Sequence, residues 1–400
     1  MKKLAALLIF FGINQITFAD SWTQMASLPG TARQGGAGFV IGTKAYMGTG
    51  YWAQSACLND FWEWDQPANS WTQKASLPGV VRNAGYAFAV AGKGYMGFGT
   101  NCGGIISFLN DFYEYDPAAN TWTSKASYGG GQIGYGAGFV INNKIFYGTG
   151  TDLSFPAIRN DFWEYDPATN TWAQKASFAG TSRQSAVAFS IGNYGYLGTG
   201  SDSTHYSTRD FWQYNPQTNS WLQIDSLPGP PKYWAAAFSV GGNGYVGTGN
   251  TGSGNTDDFW QYNPITGSWI QKGNLAGVAR NDAFGFAIGN KGYIGLGAYN
   301  QFLNDLWEYT PDSTTGISDL QIGNYDLQIT PNPATDFINI KANATTNSTL
   351  TITEATGRIV YNTTLTSSSF TLKTSNYAKG MYVVSVGDGK NRSTKQFIKN

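Results

Sequence analysis

Asp161-Phe162-Trp163-Glu164-Tyr165-Asp166-Pro167-Ala168-Thr169-Asn170-Thr171-Trp172 is one copy of a phrase that returns along this chain. Its opening aspartate recurs as Asp60, Asp111, Asp161, Asp210, Asp258 and Asp305, at steps of 51, 50, 49, 48 and 47 residues. Its closing tryptophan recurs as Trp22, Trp71, Trp122, Trp172, Trp221 and Trp269. Self-similarity at a long, nearly fixed period marks an array of units that bury their apolar faces against one another.

Each unit carries the same parts around that phrase. Upstream lies a small-residue alternating segment: 37–41, 86–90, 137–141, 186–191, 235–240 and 283–288. A second segment follows and ends in Gly-x-Gly, as in Gly48-Thr49-Gly50 and Gly198-Thr199-Gly200. A loop of variable length then leads into the Asp-Phe-Trp segment, a tight Asp-Pro-x-x-Asn turn and the Trp segment. The segments are short, alternate with period two and are rich in Phe, Tyr, Trp and Val, which predicts strands. Pro presets φ in the turn, and Asn or Asp tolerates the left-handed region. Four strands per unit in six units predict an all-β, six-bladed β-propeller. The Ala and Gly of the innermost strand suit a crowded axis.

The Gly pair after a Tyr-containing strand, the spaced Tyr and the closing Trp resemble kelch repeats over Trp22 to Tyr309. The usual adjacent Gly-Gly is here Gly-x-Gly, which marks a divergent subtype. Trp22 has no blade before it, and Leu306-Trp307 has no Trp strand after it. Ser21 to Met25 is therefore expected to complete the last blade, closing the ring and removing an exposed edge.

Residues 1–19 read as a signal peptide, with Lys2 and Lys3, an apolar stretch Leu4 to Phe11, and Thr17-Phe18-Ala19 as a cleavage site. The apolar run is too short to span a membrane, and no transmembrane segment is expected. The propeller is expected over 20–311 and a Ser-, Thr- and Gly-rich linker over 312–324. Residues 325–400 read as a small β-sandwich. The blocks Leu327 to Ala334, Gly357 to Val360, Lys379 to Val384 and Lys395 to Lys399 resemble the type A C-terminal sorting domain of the Bacteroidota type IX secretion system. That resemblance implies engagement of the secretion machinery and a secreted or outer-surface location.

Lys plus Arg against Asp plus Glu is 15 − 21 = −6 over residues 20–319 and 8 − 4 = +4 over 320–400. A mildly acidic array lacks the basic surface that nucleic-acid binding needs. Cys57 and Cys102 lie in equivalent loops of consecutive blades, so a disulfide competes with two free thiols.

Two sets of residues are candidate ligand-binding positions. Arg33, Arg82, Arg183, Lys232 and Arg280 precede the innermost strand, with Ile133 in the sixth place. They read either as a collar for an anionic or polar ligand or as structural partners of the repeated aspartates. The second set breaks the repeat. Eleven of the 14 Trp sit at repeated positions. Trp64 replaces a repeated Tyr and reads as scaffold, which leaves Trp52 and Trp234 in loops. Tyr51, Phe155, His205, Tyr206, Tyr233, Tyr299 and Phe302 are other loop aromatics, suited to sugar rings or to packing over the loops. Asp282 is a rim carboxylate absent from the other units.

Chemistry is weakly signalled. The chain has 1 His, too few for a kelch-type copper site, and its cysteine and histidine count disfavours zinc. No catalytic residue, metal site or cofactor is assigned. The expectation is a secreted or surface propeller that binds a glycan or extracellular protein through its loop face. The alternatives are a sialic acid epimerase/mutarotase-like enzyme using Asp282, and a structural surface protein.

Overall fold

The computed structural model describes residues 20–52, 56–103, 106–152, 158–204, 206–312, 327–342, 348–354, 359–387 and 392–399. The signal segment, the linker, Phe155 and His205 lie outside them. The described residues form strands and turns without helix. Contacts divide the chain into two units, Met1–Asp312 and Ser313–Asn400.

The first unit contains six four-stranded antiparallel sheets, one for each repeat. In the first sheet Ala37–Ile41, Lys44–Gly48, Phe61–Asp65 and Ser70–Lys74 pair in sequence order. The sheet holding Phe284–Ile288, Lys291–Gly295 and Leu306–Thr310 takes its fourth strand from the other end of the unit. Ser21–Met25 pairs there, with Ser21 opposite Thr310 and Met25 opposite Leu306.

The repeated phrase explains how neighbouring sheets hold together. Its turn begins with an Asp or Asn whose carboxyl or amide oxygen accepts a backbone N–H, as Asp166 does from Ala168 at 3.0 Å. It ends with a left-handed Asn, φ 53° at Asn120. The Asn120 side-chain oxygen accepts the Ala75 N–H at 2.9 Å, and the Trp122 indole donates to the Ala75 carbonyl at 2.8 Å. Ala75 follows the outer strand of the preceding sheet, so the next sheet grips both of its polar groups. Equivalent indole bonds run Trp71 to Ala26, Trp172 to Ala126, Trp221 to Ala176, Trp269 to Asp225 and Trp22 to Gly273. The last of these joins the strand from the start of the unit to the fifth sheet.

The apolar core lies between sheets. One cluster joins Phe39, Tyr46 and Phe61 of the first sheet to Met96 and Tyr115 of the second. Another joins Ala45, Met47 and Trp64 of the first to Phe286, Ile288 and Tyr293 of the last. Each innermost-strand Phe presses on the second strand of its neighbour. A Cβ on Gly94 would sit 1.9 Å from the Phe39 ring, and one on Gly195 would sit 2.0 Å from the Phe139 ring. Glycine is needed there because the aromatic ring occupies the space of any side chain.

The second unit has a three-stranded sheet, in which Leu327–Thr330 and Ser369–Lys373 flank Phe337–Ala342. Its other sheet has four strands, ordered Ile359–Thr364, Thr349–Glu354, Gly380–Gly387 and Arg392–Lys399. Alternate residues such as Ile338, Ile340, Leu350, Ile352, Val384 and Val386 form its core.

Candidate functional site

Residues from the first strand of each of the six sheets line a channel of about 440 Å³. Five rim cations stand just before these strands, and none is solvent-exposed. Arg33 holds Asp60 through two bonds of 2.5 and 2.7 Å. Arg82 holds Asp111 at 2.5 and 2.6 Å, Arg183 holds Asp210 at 2.8 Å twice, and Arg280 holds Asp305 at 2.6 and 2.8 Å. Lys232 pairs with Asp258. In the third repeat Ile133 occupies the cation position, and Arg159 compensates with two 2.7 Å bonds to Asp161.

All of these aspartates except Asp111, which Tyr113 follows, accept the indole N–H two residues on, as Asp60 does from Trp62 and Asp305 from Trp307, both at 2.7 Å. This is the physical content of the Asp-Phe-Trp phrase. Burial works against ionisation of Asp210 and Asp305, yet the Arg183 and Arg280 bonds hold both below the usual carboxylate range. Burial lowers Lys232, with Asp258 opposing. Of the two readings of Arg33, Arg82, Arg183, Lys232 and Arg280, the ion pairs match structural partners of the repeated aspartates and leave none of the five free for a ligand collar. A guanidinium with no exposure and a bidentate carboxylate partner is not presented to a ligand.

Two residues beyond each rim position stands a second ring: Gly35, Ala84, Tyr135, Ser185, Trp234 and Asp282. All six are left-handed, with φ between 50° at Ala84 and 62° at Gly35. Their backbones are joined in a cycle. Ala84 N–H bonds to Gly35 carbonyl, Tyr135 to Ala84, Ser185 to Tyr135, Trp234 to Ser185, Asp282 to Trp234, and Gly35 to Asp282, over 2.8–3.3 Å. The residue preceding each member pairs with the start of a variable loop, as Gln34 does with Tyr51 and Tyr233 with Asn250. The loops thus flank the channel mouth.

The side chains of this ring differ from repeat to repeat. Among the described residues, Asp282 is the one acidic residue lining the channel, and the lining contains no Lys, Arg or His. Burial alone raises its pKa to about 7. Its Oδ2 lies 3.1 Å from where a Gly35 Cβ would stand, so glycine there leaves the carboxyl room. The Tyr135 hydroxyl is pushed to about 12 by burial first and Asp282 second. The Trp234 indole nitrogen is buried without a hydrogen-bond partner among the described residues. Trp234 packs on Tyr233, ring centroids 4.7 Å apart.

Sequence reading reached Trp234 and Asp282 but missed Gly35, Ala84, Tyr135 and Ser185. The available signal was a fixed offset of two from the rim cation, at which six different residues interrupt an otherwise repeated segment. Among the loop aromatics, Trp52 is 37% and Tyr206 74% exposed. Tyr51 meets Phe302 edge-on at 5.6 Å. Trp64 is fully buried against Tyr293. Cys57 and Cys102 form a disulfide with Cα atoms 5.4 Å apart, tying the first and second loops together. Among the described residues no group of three His, Cys, Asp or Glu is arranged to hold a metal ion.

The second unit carries the signal that places the protein in the cell. Residues 328–400 match the secretion system C-terminal sorting domain. This type IX sorting domain addresses the chain to its secretion machinery, for export to the cell surface or beyond. No described helix is long and apolar enough to cross a membrane. No curated protein matches the chain. Among solved structures, that of YjhT aligns with a TM-score of 0.61 at 16% identity, covering 70% of this chain and 95% of its own. At that identity the likeness concerns the fold alone, which is of propeller type.

Proposed function

We propose that residues 20–311 are a closed, six-bladed kelch-type propeller acting as a binding module for a glycan or extracellular protein, with 312–324 as the linker to the sorting domain. Six sheets of one pattern, the Ser21–Met25 strand paired to Leu306–Thr310, and the backbone cycle at the mouth support the closed ring. The binding reading rests on one observation. Six equivalent positions at the channel mouth carry six different residues, of which Tyr135, Ser185, Trp234 and Asp282 offer aromatic, hydroxyl, indole and carboxyl groups.

Left-handed backbone suits Gly, and a bulky residue there costs of order 1–2 kcal/mol. Tyr and Trp at such positions carry backbone strain, and strain of this kind clusters at ligand sites. Of the two ligand classes, the glycan has the stronger support, because aromatic rings beside convergent polar groups in a recess suit a sugar. The test is a glycan array probed with the exported protein. Hits lost in Trp234→Ala and Tyr135→Phe but kept in Trp64→Phe support the mouth. Hits lost only in Trp52→Ala move the site to the outer loop, and an array without hits leaves a protein partner or a structural surface role.

A second reading, a sialic acid epimerase/mutarotase-like enzyme, draws on Asp282, whose pKa near 7 suits acid–base work. Among the described residues, the mouth offers no cation to a carboxylate substrate. Exchange of sugar anomers or epimers followed by NMR decides this reading, and unchanged spectra reject it.

A further inference from the structure

We infer that the channel mouth selects an amino sugar with a free amine, seating its ammonium group against the Asp282 carboxylate beside Trp234 and Tyr135. This rests on the glycan reading above and names the chemistry of its ligand.

Three observations carry the assignment. The first is the isolation of Asp282. Each aspartate that opens a repeated strand is held by Arg or Lys, whereas no ion pair or hydrogen bond reaches the Asp282 carboxylate among the described residues. The neighbouring innermost strands, Ala37–Ile41 and Ala236–Val240, hold no titratable group, and the other titratable groups lining the channel are the Tyr86 and Tyr135 hydroxyls. Tyr135 lies within electrostatic reach, and Tyr86 donates to the Gly138 carbonyl at 3.0 Å. The nearby rim cations are paired and buried. A carboxylate desolvated without a counter-charge regains stability when a ligand brings one.

The second is the company it keeps. Trp and Tyr rings attract cations through the negative charge of their faces, most strongly where water is excluded. Both rings line the same channel as Asp282.

The third separates an amino sugar from a simple amine. The Trp234 indole N–H is buried and unpartnered among the described residues, and a donor in that state calls for an acceptor that those residues do not supply. Ser185 lines the mouth beside it in the backbone cycle. An ammonium group flanked by hydroxyl oxygens answers both the carboxylate and the indole. A channel of about 440 Å³ lies in the size range of small-ligand sites.

The test is calorimetric titration of the full chain with glucosamine, glucose, N-acetylglucosamine and n-propylamine at pH 7, repeated at pH 5. Glucosamine is expected to bind at least ~10-fold tighter than the other three, with that preference reduced at pH 5 as Asp282 takes up a proton. Asp282→Asn, near in shape and checked for folding by thermal melting, is expected to bring glucosamine down to the level of glucose. Trp234→Phe keeps a ring and removes the N–H, and is expected to weaken glucosamine more than n-propylamine. Equal binding of glucose, N-acetylglucosamine and glucosamine would overturn the ammonium seat while upholding the glycan reading. Equal binding of n-propylamine and glucosamine would uphold the seat and overturn the glycan reading. Binding of none of the four would overturn the proposal outright.

Discussion

Two rings of six positions lie two residues apart in every repeat, and they follow opposite rules. The outer ring is Arg33, Arg82, Ile133, Arg183, Lys232 and Arg280. It is nearly uniform and unexposed, and every strand-opening aspartate finds a cation in it or, where Ile133 intervenes, in Arg159. The inner ring, Gly35 to Asp282, shares one backbone conformation and one hydrogen-bond cycle but has six different side chains. Repetition therefore marks a contact that every repeat needs within itself, and variation marks positions released from that need. A charge is a poor guide to a site when the same charge recurs around the array.

The largest effect should come from breaking the outer ring. Arg183→Ala strands Asp210 beside a vacated, unexposed pocket and is expected to cost about 3–5 kcal/mol in urea or thermal unfolding. Sugar binding by the remaining folded protein should be unchanged. A stability loss near zero with binding abolished would reverse the assignment of the two rings.

Gly195→Ala tests the wedge between neighbouring sheets. Its new Cβ would lie 2.0 Å from the Phe139 ring, and a destabilisation of about 1–3 kcal/mol is expected. Ala45 occupies the equivalent place in the first sheet. Ala45→Gly should therefore give no gain beyond glycine's own propensity.

Asp282→Asn should act in the opposite direction from Arg183→Ala. The Asp282 pKa is about 7 in the fold against an ordinary 3.8, so the native state holds a proton that the unfolded chain has already released between those values. Stability is thus lost as pH rises from about 4 to 7 and stays reduced above. The amide removes that loss. The variant should match the parent near pH 4 and exceed it by about 1–3 kcal/mol at pH 8, allowing for solvent reaching the carboxyl through the mouth. A pH-independent difference in thermal melts would show that Asp282 is not held in this way.

The smallest effect is expected of Ala84→Gly. Relief of a left-handed backbone offsets glycine's greater unfolded-state entropy, leaving a change within about 0.5 kcal/mol. A large loss there would mean that the Ala84 methyl group packs at the mouth.

Much of the architecture could be read from spacing. The period of the Asp and Trp positions, the alternation between them and the Asp-Pro-x-x-Asn turns each follow from local rules, because turn chemistry and period-two burial are written in adjacent residues. The strand missing from the last repeat was legible for the same reason, as Trp22 and Leu306-Trp307 are halves of one repeated phrase. The sorting domain was legible as four ordered blocks. The roles of the rim residues were harder. Arg33 and Asp60 are 27 positions apart, and nothing local says whether the guanidinium meets that carboxylate or turns to the channel.

Periodicity thus carried the strands, the repeat number and the export signal, since each is a property of neighbouring residues or of a period along the chain. Only the assembled sheets decided which face each rim residue takes. Within one repeat, Arg280 and Asp282 are separated by a single position; a left-handed turn sends the Arg280 side chain into the scaffold and leaves the Asp282 carboxyl at the channel mouth. That divergence is fixed where the six turns bond backbone to backbone, so it depends on contacts that no stretch of sequence contains.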